Sequence, residues 1–301
     1  GADRFVFGAS VLAKNIGVSP MIIGLTIVSM GSSAPEIMIA ATASFNGNID
    51  TAVGNALGSN ITNIALVLGL TALLKPLSIA SSTLKKEMPV LLLVSLLAVY
   101  FLSDYLLLKV EGIILITLFF AVIGGLTWVS FNMEKGDPLQ PETENEIPSG
   151  VSTSRAVMWL IVGMILLPLS AYFMVNSAEV IARYFGLSEL VIGLTIIAIG
   201  TSLPELAACI AGVLKNEDDL ALGNIIGSNI FNLLAVLAMP GLIAPGLIDE
   251  NAATRDSYVM LGLTILLIVF SFNLKGSRCI NRMEGMCLIT CFCAYQYLLF
   301  S

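Results

Sequence analysis

One segment of this chain occurs twice, and each copy carries a glutamate beside a proline inside an otherwise apolar stretch. Ile23-Gly24-Leu25-Thr26-Ile27 leads into Gly31-Ser32-Ser33-Ala34-Pro35-Glu36. At a constant offset of 169 residues, Ile192-Gly193-Leu194-Thr195-Ile196 leads into Gly200-Thr201-Ser202-Leu203-Pro204-Glu205. The match runs on without a gap through Gly54-Asn55, Gly58-Ser59-Asn60-Ile61 and Asn63, paired with Gly223-Asn224, Gly227-Ser228-Asn229-Ile230 and Asn232. A carboxylate within a membrane helix costs at least about 2.5 to 3.5 kcal/mol on insertion scales, so two at equivalent places predict a functional site.

The surroundings of those glutamates are membrane-like. Hydrophobic residues make up 57% of the chain and charged residues 12%, with a mean hydropathy of +0.93, more apolar surface than a soluble fold can hide. Apolar runs of about 18 to 30 residues, each long enough for a hydrocarbon core of about 30 Å, fill nearly the whole length. They predict helices over 2–16, 21–45, 51–74, 88–102, 105–131, 155–185, 189–214, 220–243, 257–272 and 282–300. The first would rise only about 22 Å, whereas its repeat mate is far longer, so helix 1 is expected to be truncated.

The fold class expected is therefore an all-α polytopic membrane protein of ten transmembrane helices. Residues 1–131 form the first five-helix repeat and 155–301 the second. Between them, 132–154 is acidic and rich in Pro and Gly, which predicts a solvated linker. Five spans per half make the second copy enter from the opposite side, so the repeats are inverted, an arrangement that builds a midplane site from corresponding interrupted helices. Lys14, Lys75, Lys85, Lys86, Lys135, Arg155, Lys215, Lys275, Arg278 and Arg282 fall on one side, against Lys109, Arg183 and Arg255 on the other. The rich side is expected to be cytoplasmic, placing the linker inside and both termini outside. Asp3 and Arg4 read either as a pair near mid-membrane or as the outer end of a shortened helix.

Charge and composition also exclude. The net charge of −7 argues against nucleic acid as a partner, and the absence of histidine removes the commonest metal ligand and proton shuttle. Any metal must be held by oxygen. The five cysteines read as apolar helix residues, and no cofactor or obligatory protein partner is evident beyond the lipid bilayer.

Proline lacks the N–H for the helical bond and clashes four residues back, so Pro35 should free carbonyls near Gly31 and Ser32, and Pro204 near Gly200 and Thr201. The hydroxyls of Ser32, Ser33, Thr201 and Ser202 and the carboxylates of Glu36 and Glu205 surround them. Carbonyl, hydroxyl and carboxylate oxygens are the ligands of hard cations such as Ca²⁺ and Na⁺. Ser59 with Asn63, and Ser228 with Asn232, are four apart and share a helix face. A kinked helix with interhelical Asn bonds is the bland alternative, and Ser33, Asn55 and Asn224 taken singly fit it equally well.

With its paired Gly-Ser-Ser-Ala-Pro-Glu and Gly-Thr-Ser-Leu-Pro-Glu motifs, each followed by Gly-Asn-x-x-Gly-Ser-Asn, the chain resembles the calcium/cation antiporter superfamily. Within it, the match is to the sodium/calcium exchanger branch and its bacterial relatives. The resemblance covers essentially the whole chain and implies a bacterial inner-membrane antiporter with Ca²⁺ and Na⁺ as substrates. It implies a diamond of four sites between helices 2, 3, 7 and 8. In it, Glu36 and Glu205 ligate Ca²⁺ with the backbone oxygens of Ser32 and Thr201. Sodium would be held by Ser29 (through its carbonyl), Ser32, Ser33, Glu36 and Ser59 on one side. On the other it would be held by Ala198 (through its carbonyl), Thr201, Ser202, Glu205 and Ser228. Asn63 and Asn232 complete the centre. Some relatives carry Asp in place of Asn232, potassium-coupled ones among them, and the position of Ser29 is often Ala.

Two rivals remain at this level. Carboxylates exchange protons as well as sodium, so a proton-coupled Ca²⁺ antiporter of the same fold fits the residues, although such members usually show Asn after the first Gly of the motif. An intramembrane hydrolase fits poorly, because a Ser-His dyad is impossible and the helix interiors lack paired Asp residues.

Overall fold

In a computed structural model, residues 2–17, 20–79, 81–133, 151–272 and 279–300 are described. Most of the predicted linker (134–150) lies outside the described residues, as do Lys275, Arg278 and the side chains of Asp3 and Arg183. The described residues form ten long helical rods: α1 (Ala2–Ile16), α2 (20–45), α3 (Ile49–Leu74), α4 (Glu87–Leu102), α5 (Lys109–Met133), α6 (Thr153–Tyr184), α7 (Glu189–Leu214), α8 (Asp218–Ile243), α9 (Ala252–Ser271) and α10 (Arg282–Phe300). A single helical turn, Ser81–Lys85, precedes α4. By length and composition six helices among the described residues can cross a membrane, or seven if the bent pair Gly24–Ser32 and Ala34–Phe45 is one span.

Two expected helix starts shift by four or five residues. Helix 5 was expected from residue 105 but begins at Lys109, because Tyr105 takes a positive φ of 63° and the Asp104 carboxylate accepts the Leu106 N–H at 3.1 Å. The freed segment becomes a strand, β2 (Leu106–Leu107), which pairs antiparallel with β3 (Gly246–Leu247). Likewise β1 (Leu77–Ser78) pairs with β4 (Cys279–Ile280). Helix 9 starts at Ala252, five residues before the expected Ser257, through a π-helical turn over Ala252–Asp256.

Packing repeats itself with the halves exchanged. A Cβ on Gly24 would lie 2.5 Å from the Leu220 carbonyl and one on Gly193 2.7 Å from the Thr51 carbonyl, so α2 lies against α8 as α7 lies against α3. Side chains there would push the backbones apart, and small residues are how membrane helices approach closely. In the same manner α1 packs on α6, α4 on α9, α5 on the end of α8 and α10 on the end of α3. The strand pairs follow suit, since β1 follows α3 as β3 follows α8. This exchange of roles is what a two-fold relation between the halves requires. It buries α3 and α8 at the centre, whereas α5 and α10 remain largely exposed at the periphery.

Candidate functional site

Both glutamates sit just after a helix break. α2 bends by 47° at Ser33, whose ψ of 7° leaves the helical region, and α7 breaks at Ser202 with a ψ of 1°. Pro35 and Pro204 occupy the first turns of the new helical segments, where a missing N–H costs nothing. Glu36 and Glu205 follow in those same first turns, where the helix dipole favours negative charge, while the carbonyl end of the preceding segment favours a cation. Corresponding π-helical turns flank the breaks, at Gly24–Val28 and Gly193–Ile197, and again at Thr62–Leu68 and Asn232–Val236 in α3 and α8. Such bulges recur at functional sites because they free backbone groups and re-aim side chains.

The expected site residues are all hidden from the surface. Glu36 and Glu205 are fully buried, and Ser29, Ser32, Ser33, Ser59, Asn63, Ala198, Thr201, Ser202, Ser228 and Asn232 are buried as well. Hydrogen bonds join the two halves across the site. Ser33 Oγ donates to Glu205 Oε1 at 3.2 Å, and Ser228 Oγ donates to the same oxygen at 3.3 Å. Ser32 Oγ donates to Asn224 Oδ1 at 3.2 Å, and the Ser59 and Thr201 hydroxyls lie 3.4 Å apart. The carbonyls of Ser29 and Ala198 already accept within their helices, from Ser33 N at 2.9 Å and Ser202 N at 3.2 Å.

Several buried oxygens nonetheless have no donor. Among the described residues, neither oxygen of Glu36 has a hydrogen-bond partner, and the same is true of Glu205 Oε2, Asn63 Oδ1, Ser202 Oγ and both polar ends of Asn232. Nor does a Lys or Arg pair with either glutamate among those residues. Buried carboxylates without cationic partners are costly, and an oxygen-bound cation relieves that cost by neutralising them and occupying the lone pairs.

Four asparagines join the site that sequence reasoning left undecided or passed over. Asn55 Nδ2 donates to the Glu36 carbonyl at 3.1 Å, and Asn224 accepts from Ser32. Asn60 Nδ2 donates to the Asn229 carbonyl at 3.2 Å, and Asn63 Nδ2 donates to Asn229 Oδ1 at 3.2 Å. The available signal was their position inside the repeated segment at the common offset.

Comparison with known proteins agrees with this architecture. The family model described as "Sodium/calcium exchanger protein" matches residues 1–128 and 155–301. The chain is 57% identical over 300 residues to CaxA of Alkalimonas amylolytica, covering 100% of this chain and 94% of the relative. To the inner membrane protein YrbG of Escherichia coli it is 47% identical over 280 residues, covering 90% and 84%. A solved structure of the sodium-calcium exchanger NCX_Mj superposes with a TM-score of 0.79 at 31% identity, over 98% of this chain and 92% of that one. A polytopic helical fold, a buried pair of glutamates at broken helices and a family match over both halves lead to one conclusion: the chain belongs to the sodium/calcium exchanger protein family and is an integral membrane transporter rather than an enzyme.

Proposed function

We propose that this protein exchanges Ca²⁺ for Na⁺ across the bacterial inner membrane by alternating access. The observation that carries the reading is the pair Glu36 and Glu205, both fully buried, linked by Ser33 of α2 donating to Glu205, and unpaired with any described cationic side chain. One Ca²⁺ neutralises both, and so do two Na⁺, which makes the ions competitors for the same oxygens. Ser32, Ser33, Thr201, Ser202, Ser59, Ser228, Asn63 and Asn232 complete the ligand set, with the carbonyls of Ser29 and Ala198 at its two ends. Each of those two carbonyls accepts a helical N–H and also a hydroxyl, Ser32 Oγ on Ser29 and Thr201 Oγ1 on Ala198, both at 3.4 Å, so their contribution would come by a cation displacing the longer hydroxyl bond. The names of NCX_Mj and of the matching family model support sodium as the counter-ion, and YrbG supports the inner membrane.

An occluded site holding two bare carboxylates is unfavourable, so it changes sides only when loaded, and this couples the two fluxes. The moving parts would be α1 and α6, which pack on each other at the edge of the α2, α3, α7 and α8 core. At 32 residues, or about 48 Å, α6 is too long for an upright crossing. The repeats span 1–131 and 155–301, with the linker 132–154 cytoplasmic.

The test is radiolabelled Ca²⁺ uptake into proteoliposomes under imposed gradients. Uptake should require internal Na⁺ or internal Ca²⁺ and be inhibited by external Na⁺. Uptake that needs neither ion inside and follows a pH gradient would move the assignment to the proton-coupled antiporter.

A further inference from the structure

Among the places where hydrogen bonding near the site differs between the halves, one pair of helices shows a difference with a pattern. Asn60 and Asn229 are repeat mates, as are Asn63 and Asn232, and all four are fully buried. Two bonds are made: Asn60 Nδ2 to the Asn229 carbonyl, and Asn63 Nδ2 to Asn229 Oδ1, both at 3.2 Å. Exchanging the halves would produce two others, Asn229 Nδ2 to the Asn60 carbonyl and Asn232 Nδ2 to Asn60 Oδ1. Among the described residues the side-chain atoms for that second set, Asn229 Nδ2, Asn232 Nδ2 and Asn60 Oδ1, have no partner. These three unpaired atoms are thus the repeat mates of the three side-chain atoms that are paired, while the oxygens of Asn63 and Asn232 are unpaired in both halves.

The bonded set has a chemical consequence for Asn63. Only the oxygen end of an amide ligates a cation, while its NH₂ end repels one. With Nδ2 held by Asn229, the Asn63 oxygen is the end left without a partner. Asn232, with neither end held, has no such orientation imposed on it. Fixing a ligand through its other end is what outer groups do around metal sites.

We infer that Asn229 is a positioning residue that turns the Asn63 oxygen towards the transported cation, and that Asn60 takes over this role for Asn232 when the transporter opens to the opposite side. The central amide ligand then alternates between halves, and the hydrogen bonds of one half are released as those of the other form. This rests on the proposed placing of Asn63 and Asn232 in the ion site.

The experiment measures KM for radiolabelled Ca²⁺ separately in right-side-out and inside-out vesicles. Asn229→Ala should raise KM about 10-fold on one side with kcat little changed, and Asn60→Ala should do so on the other side. Asn229→Ala added to Asn63→Ala should raise KM no further, because the residue acts only through Asn63. A rise in KM equal on both sides, or a further rise in the Asn63→Ala background, would overturn the inference. If Asn229→Ala does not fold, the sidedness of Asn60→Ala decides alone. If Asn63→Ala and Asn232→Ala both leave KM unchanged, the ligand assignment itself fails. If they raise it while Asn229→Ala and Asn60→Ala do not, only the positioning role fails.

Discussion

Glu36 and Glu205 have identical repeat positions but unequal surroundings. Glu205 Oε1 accepts from Ser33 and Ser228, whereas both oxygens of Glu36 lack a donor among the described residues. By the repeat, Ser202 and Ser59 should serve Glu36. Instead Ser202 Oγ is unpartnered and Ser59 faces Thr201. In the proposed site both glutamates are needed to balance a divalent ion, so Glu36→Gln and Glu205→Gln should each reduce Ca²⁺ flux more than 100-fold. The scale follows from outer-shell changes, which alone cost about 10- to 100-fold at metal sites. Both variants should stay folded, since a neutral amide is cheaper to bury than an unpaired carboxylate; near-normal flux in either would remove that residue from the site. Duplication alone singles out these two residues for the proposed site. Their unequal hydrogen bonding was not, because it depends on which of two equivalent hydroxyls lies nearer in three dimensions.

Between elements, glycine decides how closely the core helices meet. Gly24→Ala and Gly193→Ala should each lower stability by about 1 to 3 kcal/mol, since the new Cβ meets backbone that cannot step aside. Gly262→Ala in α9, with nothing within 4 Å of the added carbon, should be neutral or stabilising by about 0.5 to 1 kcal/mol. Thermal denaturation of detergent-purified variants compares the three, and equal midpoints for Gly24→Ala and Gly262→Ala would refute close packing at Gly24. At the start of α9, Asp256 accepts from Arg255 at 2.8 Å and from Tyr295 of α10 at 2.9 Å. Tyr295→Phe removes a bond to a buried charge, so it should cost about 1.5 to 3 kcal/mol in the same assay. Helix count and most boundaries could be read from apolar runs, and the breaks from Pro35 and Pro204. The π-helical turns, and the strands made of residues 106–107 and 246–247, could not be, because their defining partners lie turns or many residues away.

For the whole molecule, the proposed topology rests on five spans per half together with the loop charges. A cysteine replacing Ser149, which lies outside the described residues, should react with an impermeant thiol reagent only from the cytoplasm. Labelling from outside intact cells would reverse the orientation and the side assigned to each end of the ion site. The proposed coupling makes a second prediction at this scale. Vesicles preloaded with neither Na⁺ nor Ca²⁺ should show little initial uptake, and either internal ion should restore it, because an unloaded site does not change sides.

Hydropathy, the repeat offset and the Pro-Glu motifs are local properties of the chain. They were enough for a polytopic helical membrane protein and its family, and they direct the proposed hard-cation site to Glu36 and Glu205. Which half each polar group serves is different in kind. Ser33 reaches Glu205 rather than Glu36, and Asn229 holds Asn63 while Asn232 is left unheld. A repeated sequence treats its two copies alike, so only the packing of one against the other, with two equivalent sets of hydrogen bonds available and one of them formed, distinguishes them.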